Sequence, residues 1–426
     1  MLRLEASAPD FAERFDALVN ARREADSDVA ADVAAIIARV RDEGDAAVAD
    51  LTQAFDGHGL PWRISLDEAK DAYVALDPSI RHALELAAKR ILDFHVAQLP
   101  QGSDSRDAAG VRLGARWSAV DAAGIYVPGG RAAYPSSVLM NAIPAKVAGV
   151  GRIVMVTPTP NGAINPAVLA AALIAGVDEV WRIGGAQAIA AIAYGTRTIA
   201  PVDVITGPGN AWVAEAKRQV FGRVGIDMVA GPSEIVVVAD GANDPEWIAA
   251  DLLSQAEHDP TSQSILITDD AAFAESVAAA VERLLDRLPT AAVARASWDA
   301  HGAIITVAKL DDAIPLINRL APEHLQIALD DDAAEALFAQ VRHAGSVFLG
   351  RMTPEAIGDY VAGPNHVLPT GRRARFASGL SVLDYMKRTS FIAADAAALG
   401  AIGPAAVTLA EAEGLSAHAA SVRLRL

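Results

Sequence analysis

Gln255 and His258 stand three residues apart in Leu253–Asp259, Leu-Ser-Gln-Ala-Glu-His-Asp, which closes an apolar run that starts at Asp244-Pro245 and stops before Pro260. On a helix this spacing puts an amide oxygen and an imidazole nitrogen on one face, one turn apart, where both can grip one cation. The same residues also suit a polar helix end with a surface histidine. Glu323 and His324 follow Pro322, and a carboxylate beside an imidazole is an acid–base pair. Neighbours point apart in regular structure, so joint action calls for a loop; a solvated carboxylate and a helix-end histidine remain the other reading. Gly358-Asp359-Tyr360 and Gly363-Pro364-Asn365-His366 lie in a glycine-rich loop too poor in apolar residues for a core strand. Asp359 completes a metal site if a cleft brings it to Gln255 and His258. Glu413 and His418 flank Gly414 near the C-terminus. Gln, His, Asp and a second His are oxygen and nitrogen donors suited to zinc or a neighbouring divalent ion, yet no spacing rule groups these four.

The elements that must position these residues change character along the chain. Residues 8–100 read as helices: Asp26-Ser27-Asp28 caps a run with Val29, Val33, Ile36, Ile37 and Val40 that Gly44 ends, and a second run extends from Ser79 towards Leu99. From about Val120, short apolar runs alternate with glycine turns and helical segments. Gly124–Gly130, Arg152–Thr157, Glu179–Ile183 and Val202–Thr206 form one series; Ile235–Ala239, Ser264–Thr268, Ile304–Val307, Leu325–Leu329 and Ser346–Leu349 form another. Strand, turn and helix in repetition predict α/β architecture: two related open, incomplete Rossmann-like parallel sheets with a cleft between them. Tyr134–Asn141 sets Ser136 and Ser137 at a helix start, where serine caps well, and Gly231-Pro232-Ser233-Glu234 is a turn between strands, a place where loops carry ligands. The G-x-G-x-x-G fingerprint is absent: Gly207-Pro208-Gly209-Asn210 lacks the third glycine, although a glycine turn opening a helix still presents N–H groups to a pyrophosphate. After about Ser381 two helical segments flank Gly414 with no strand to cover, an appendage suited to packing on another subunit.

The 426 residues suffice for more than one core, and 52% hydrophobic with 21% charged residues is a globular composition. A net charge of −17 disfavours nucleic acid or an anionic membrane as a partner. The absence of cysteine excludes disulfides, thiolate zinc sites and a thiol nucleophile. With no signal-like N-terminus and no apolar run long enough to span a bilayer, a cytoplasmic location is expected.

Six blocks together resemble the histidinol dehydrogenase family: Tyr134–Val150 (YPSSVLMNAIPAKVAGV), Val224–Glu234 (VGIDMVAGPSE), Leu253–Asp259 (LSQAEHD), Ala321–Leu325 (APEHL), Gly363–Gly371 (GPNHVLPTG) and Leu415–His418 (LSAH). They extend across most of the chain, with the first hundred residues weakly diagnostic. The resemblance implies a homodimer with shared active sites and one zinc per subunit, held at Gln255, His258, Asp359 and His418, the last supplied by the partner. It implies Glu323 and His324 as acid–base residues. Ser233, Tyr360, His366 and Glu413 match the substrate pocket, which also takes in Gln255, His258, His324, Asp359 and His418; Tyr126, Gln187 and Asn210 match contacts to NAD. Gln326, where an acidic residue is common, and Arg372-Arg373, where small residues are common, are expected to touch only surface charge and loop detail. The implied division is a segment 1–20, a zinc-bearing α/β domain of 21–125 plus 235–380, an NAD-binding domain of 126–234, and a tail of 381–426 that swaps onto the partner.

The implied reaction takes L-histidinol through L-histidinaldehyde to L-histidine with two NAD. Without a cysteine, the aldehyde step cannot use a thiohemiacetal and needs a hydrated aldehyde, with Glu323 activating water and His324 taking the hydroxyl proton. Two other enzymes stay open on these residues: a paralogous dehydrogenase of another small polar alcohol or diol, and a zinc hydrolase. A non-catalytic nucleotide-binding scaffold is the remaining alternative.

Overall fold

The computed structural model describes residues 1–21, 29–129, 133–229 and 231–426. The two series of apolar runs become two six-stranded sheets. In sheet I the spatial order is Arg63–Ile64, Glu179–Trp181, Arg152–Val156, Ala122–Tyr126, Val204–Thr206, Gly225–Ile226. In sheet II it is Leu2–Glu5, Ala303–Thr306, Gln263–Thr268, Glu234–Ala239, His324–Ala328, Ser346–Leu349. Leaving aside the first strand of each list and counting the rest in chain order, both sheets read 3-2-1-4-5. That is the Rossmann order short of its sixth strand. All pairings are parallel except that of Arg63–Ile64 with Glu179–Trp181. Parallel neighbours need crossovers: Pro135–Ala148 and Pro166–Ala175 cover one face of sheet I and Gly185–Tyr194 and Ala211–Val220 the other, while Pro245–Ala256 and Ala271–Leu285 cover one face of sheet II and Ala313–Leu320 and Asp331–Phe338 the other. Strands buried on both sides have no alternation, and Glu234–Ala239, Gln263–Thr268 and His324–Ala328 are buried at every position.

The cores revise the domain division. Val33, Ile36, Ile37 and Val40 of the helix Ala30–Glu43 pack with Trp181, Ile183 and Ile189, and Leu84, Ala88 and Ile91 of the helix Pro78–Val96 pack with Ile125, Leu139 and Ile153. The helices Ala30–Glu43 and Pro78–Val96 therefore pack on sheet I rather than on sheet II, and a boundary after residue 125 cuts through the strand Ala122–Tyr126. The N-terminal segment is not only helical: Leu2–Glu5 pairs with Ala303–Thr306 and the helix Phe11–Asn20 buries Phe15 and Val19 in the core of sheet II. The expected cap at Asp26-Ser27-Asp28 and the turn residue Gly130 lie outside the described residues.

The tail also differs from expectation. Met386–Ala393 is a strand, paired antiparallel with Arg112–Ala119 along its whole length, with Ser103–Arg106 on the far side. This ribbon is largely exposed on both faces, so its sequence carries no period-two signal. Beyond it, the helices Ala396–Ala412 and Ser416–Arg423 pack on each other and bury only Ala398, Gly403 and Ala419, leaving Ile402, Leu409, Leu415 and Leu424 exposed. Among the described residues, no helix is long and apolar enough to cross a membrane.

Candidate active site

The acid–base pair sits where sheet II begins. His324 opens its strand in register with Ile235, so Glu323 and His324 face Glu234 across the junction of the first and fourth strands. Ala321, in the left-handed region at φ 46°, ends the preceding helix and turns the chain into this position. The pair works at a loop–strand boundary rather than within a loop, with Glu323 and His324 only 6% and 4% exposed. The Glu234 N–H donates to Glu323 Oε2 (3.0 Å), and His324 Nδ1 lies 3.2 Å from the Glu234 carbonyl oxygen. A carbonyl only accepts, so Nδ1 carries the proton and Nε2 presents its lone pair. Nε2 has no hydrogen-bond partner and lies 3.5 Å from Glu355 Oε1.

Asp359 comes from the short helix Ala356–Tyr360, not from a loop, and its Oδ1 is 3.7 Å from His366 Nδ1. His366 Nδ1 donates to the Asp359 carbonyl (3.0 Å), leaving Nε2 towards Ser137 Oγ at 3.4 Å. Ser137 is buried, and neither it nor Ser136 caps the helix Pro135–Ala148. His324, Phe348, Asp359 and His366 line a cavity of about 230 Å³.

Burial dominates the proton affinities here. It raises Glu323 well above the usual carboxylate range; the Glu234 N–H opposes the rise and the charges of Glu234, Asp359 and Glu355 add to it. Burial also pushes His324 down to about 4 against the opposing pull of Asp359, and it lowers His366. Glu355 is driven up to about 8 by burial and by Asp359 and Asp251. The leading charges behind the raised carboxylates are other carboxylates: Glu234, Asp359 and Glu355 on Glu323, and Asp359 and Asp251 on Glu355. Such a concentration of carboxylates favours a cation.

Which residues suit a metal can be tested on the chain itself. Gln255 is 1% exposed, yet neither its Oε1 nor its Nε2 has a partner. A buried unpaired amide is costly, and a ligating ion would satisfy its Oε1. His258, exposed and one turn on, is close enough to His324 and His366 to lower both by its charge. Among the described residues, the one group of three histidine or carboxylate donors lying within 4.8 Å of one another is His324, Glu355 and Asp359. It shares only Asp359 with the sequence-derived set. His418 and Glu413 are exposed on the tail, and His258, Asp359 and His418 form no such group within one chain. Tyr360 is 59% exposed but feels the charges of Asp359 and Glu355, and partly buried Ser233 accepts the Gln263 N–H at 3.0 Å through its carbonyl.

A second cavity, of about 470 Å³, opens at the C-terminal ends of the sheet I strands and gathers Tyr126, Gln187 and Asn210. The Tyr126 hydroxyl accepts the Gly185 N–H at 3.2 Å. Asn210 Oδ1 caps the helix Ala211–Val220 through the N–H groups of Trp212 and Val213. Gln187 Oε1 is buried without a partner. Gly184 has no room for a Cβ, which would meet Pro158 at 2.3 Å, and Gly207 none because of the Tyr126 carbonyl at 2.1 Å. Buried Lys217 fixes the Gly207 turn by donating to its carbonyl (2.9 Å) and pairing with Asp227, whose other oxygen takes the Gly207 N–H at 2.8 Å.

The family profile described as histidinol dehydrogenase matches residues 19–426. The chain belongs to the histidinol dehydrogenase family. It is 64% identical over 429 residues to histidinol dehydrogenase of Zymomonas mobilis, covering 100% of this chain and 99% of that one. With the Rhodospirillum rubrum enzyme it shares 63% over 431 residues, covering 100% and 98%. The crystal structure of histidinol dehydrogenase from Elizabethkingia anophelis superposes with a TM-score of 0.94 at 36% identity, over 100% of this chain and 98% of that chain. This chain is therefore an oxidoreductase of histidine biosynthesis that oxidises histidinol.

Three site features escape motif reading. Glu355 is an isolated carboxylate before a short helix, without periodicity or partner in the sequence. Gln326, expected at the surface, is 1% exposed: its Nε2 donates to Asp251 at 2.6 Å and its Oε1 accepts the Glu355 N–H at 3.3 Å. It thus ties the helix bearing Gln255 to the segment bearing Asp359. Asp56 ends a helix more than sixty residues before the first strand of its sheet's main series, and only the fold carries it to the second cavity.

Proposed function

We propose that the chain converts L-histidinol to L-histidine by two successive oxidations with NAD, at a zinc site completed by a second copy of the chain. The observation that carries this reading is the convergence of the buried Glu323–His324 pair, Asp359 and His366 with Glu355, His324 Nε2 lying 3.5 Å from Glu355 Oε1 and Asp359 Oδ1 3.7 Å from His366 Nδ1. Gln255, His258 and Asp359 would hold the zinc with the partner subunit's His418. When bound, the zinc supplies a fixed template for the substrate's imidazole and amino nitrogens. When bound along sheet I, NAD supplies the hydride acceptor. Tyr126, Gln187 and Asn210 line its cavity, and the starts of the helices Gly185–Tyr194 and Ala211–Val220 offer N–H groups suited to a pyrophosphate.

The protonation states of the chain's own residues give the order of events. His324 is neutral near pH 7, with Nδ1–H anchored on Glu234 and Nε2 free, so it takes the hydroxyl proton as the alcohol is oxidised. The aldehyde must then be hydrated. Glu323, once ionised, accepts a proton from the attacking water, and His324 takes the hydroxyl proton of the resulting gem-diol in the second oxidation. Ser233, Tyr360, His366 and Glu413 would orient the substrate, Glu413 reaching it with the tail. The exposed apolar side chains of that tail favour a homodimer, and the dimer is read as cytoplasmic.

The deciding assay is limiting L-histidinol with excess NAD and a count of NADH formed per substrate consumed. About two per substrate is expected from the two oxidations; one per substrate would indicate a simple alcohol dehydrogenase, and none a hydrolase.

A further inference from the structure

Asp56 is the last residue of the helix Asp45–Asp56, with Gly57 in the left-handed conformation behind it. A carboxylate there faces the negative end of the helix dipole, where a basic residue is preferred. The side chain is half-buried, and burial raises its proton affinity against the Thr159 N–H and the charge of His58, which favour its ionised form. Its Oδ2 is fully enclosed and has no hydrogen-bond partner. Asp56 nevertheless lines the sheet I cavity, close enough to Tyr126 for its charge to act on the phenol. Gln187 Oε1, also buried and unpartnered, belongs to the same wall. Two orphaned acceptors in one cavity call for a ligand that brings hydrogen-bond donors.

The rest of the wall narrows the ligand. Phe55, Trp212, Ile36, Pro128 and Pro158 are flat or apolar surfaces for a base. None of the acid–base residues of sheet II takes part, so this cavity suits the end of a dinucleotide remote from the reacting ring. A carboxylate that accepts from a ribose 2′-hydroxyl is how doubly wound folds select against a 2′-phosphate, by charge repulsion and loss of the donor. There the acid follows the second strand; here it precedes the main series of strands altogether.

We propose that Asp56 accepts a hydrogen bond from the adenosine ribose 2′-hydroxyl of the cofactor and so sets the preference for NAD over NADP. This rests on the reading that the cavity takes NAD. The test measures KM for NAD, NADP and 2′-deoxy-NAD with L-histidinol, in the zinc-loaded full-length protein and its Asp56→Ala and Asp56→Asn variants. The native protein should favour NAD over both analogues. In Asp56→Ala, KM for NAD should rise on the order of 10–100-fold, the advantage of NAD over 2′-deoxy-NAD should vanish, and the penalty against NADP should shrink. Asp56→Asn keeps side-chain volume and guards against a folding defect; it should relieve the NADP penalty while losing less NAD affinity. Unchanged ratios among the three dinucleotides in both variants would overturn the role of Asp56 and leave the NAD reading intact. Failure of the native protein to reduce any of them would overturn the NAD reading, and this assignment with it.

Discussion

Sheet I and sheet II share a strand order and put opposite edges to use. In sheet I the crevice between the first and fourth strands opens at their C-terminal ends, where Tyr126 and Asn210 line the proposed cofactor cavity. This is where open α/β sheets place ligands. In sheet II the equivalent crevice is plugged. Arg351 makes a bidentate pair with Asp240 (2.6 and 2.8 Å), reaches Asp330 at 3.1 Å, and shares the Ala328 carbonyl with Asn243. The proposed chemistry sits instead at the N-terminal edge, where Glu234 and the Glu323–His324 pair meet. On the proposed function, the same topology would serve once as a nucleotide cradle and once as a frame that holds acid–base groups in a buried, carboxylate-rich corner. Topology alone does not say which edge of a sheet is the working one.

If the division is real, changes at the sheet II edge act on chemical steps and changes at the sheet I edge act on cofactor affinity. The largest effect is expected from Glu323→Gln, which should slow oxidation of histidinaldehyde about 10²–10⁴-fold while alcohol oxidation survives; equal losses in the two half-reactions, measured separately, would defeat the assignment. His418→Asn should weaken zinc retention on the order of 10–100-fold. Unchanged metal content after dialysis against chelator would remove His418 from the ligand set. The two half-reactions should also part with pH. His324, pushed down to about 4, is already neutral through the weakly acidic range, so alcohol oxidation should be nearly flat there. Glu323 has a raised proton affinity and becomes a base only as pH climbs through its higher pKa, so aldehyde oxidation should rise with pH where alcohol oxidation is already flat. Superimposable pH profiles would contradict separate bases. The smallest effect falls on sheet I: Asn210→Ala, which removes a helix cap beside the cofactor, should raise KM for NAD about fivefold, and a fall in kcat instead would blur the contrast between the two edges.

Much of this contrast was legible in the residues. Buried parallel strands such as Glu234–Ala239 announce themselves as β-branched runs, and the Gln255–His258 spacing marks one helix face. What escaped was of three physical kinds. An amphipathic helix such as Ala30–Glu43 shows which of its faces is apolar but not which sheet that face covers, and here it covers sheet I rather than sheet II. The ribbon of Arg112–Ala119 and Met386–Ala393 is solvated on both faces and leaves no period-two pattern. Glu355, Gln326 and Asp56 acquire meaning only from neighbours distant in sequence, such as Asp251 and His324. The family resemblance supplied the ligand set; spacing alone did not.

The C-terminal arm has a consequence for the protein as a population of molecules. With the arm crossing as proposed, a solitary chain lacks His418 and Glu413 at its own site, so activity per chain should fall on dilution below the dimer's dissociation constant. Two chains each impaired in the complete oxidation for a different reason, one altered at Glu323 and one at His418, would then rescue one another. The mixed pair joins the intact body of one to the intact arm of the other, giving one whole site and one doubly damaged site. Random reassortment would restore about a quarter of all sites. The exposed apolar faces of Ala396–Ala412 and Ser416–Arg423 would thus make catalysis a property that two chains hold in common.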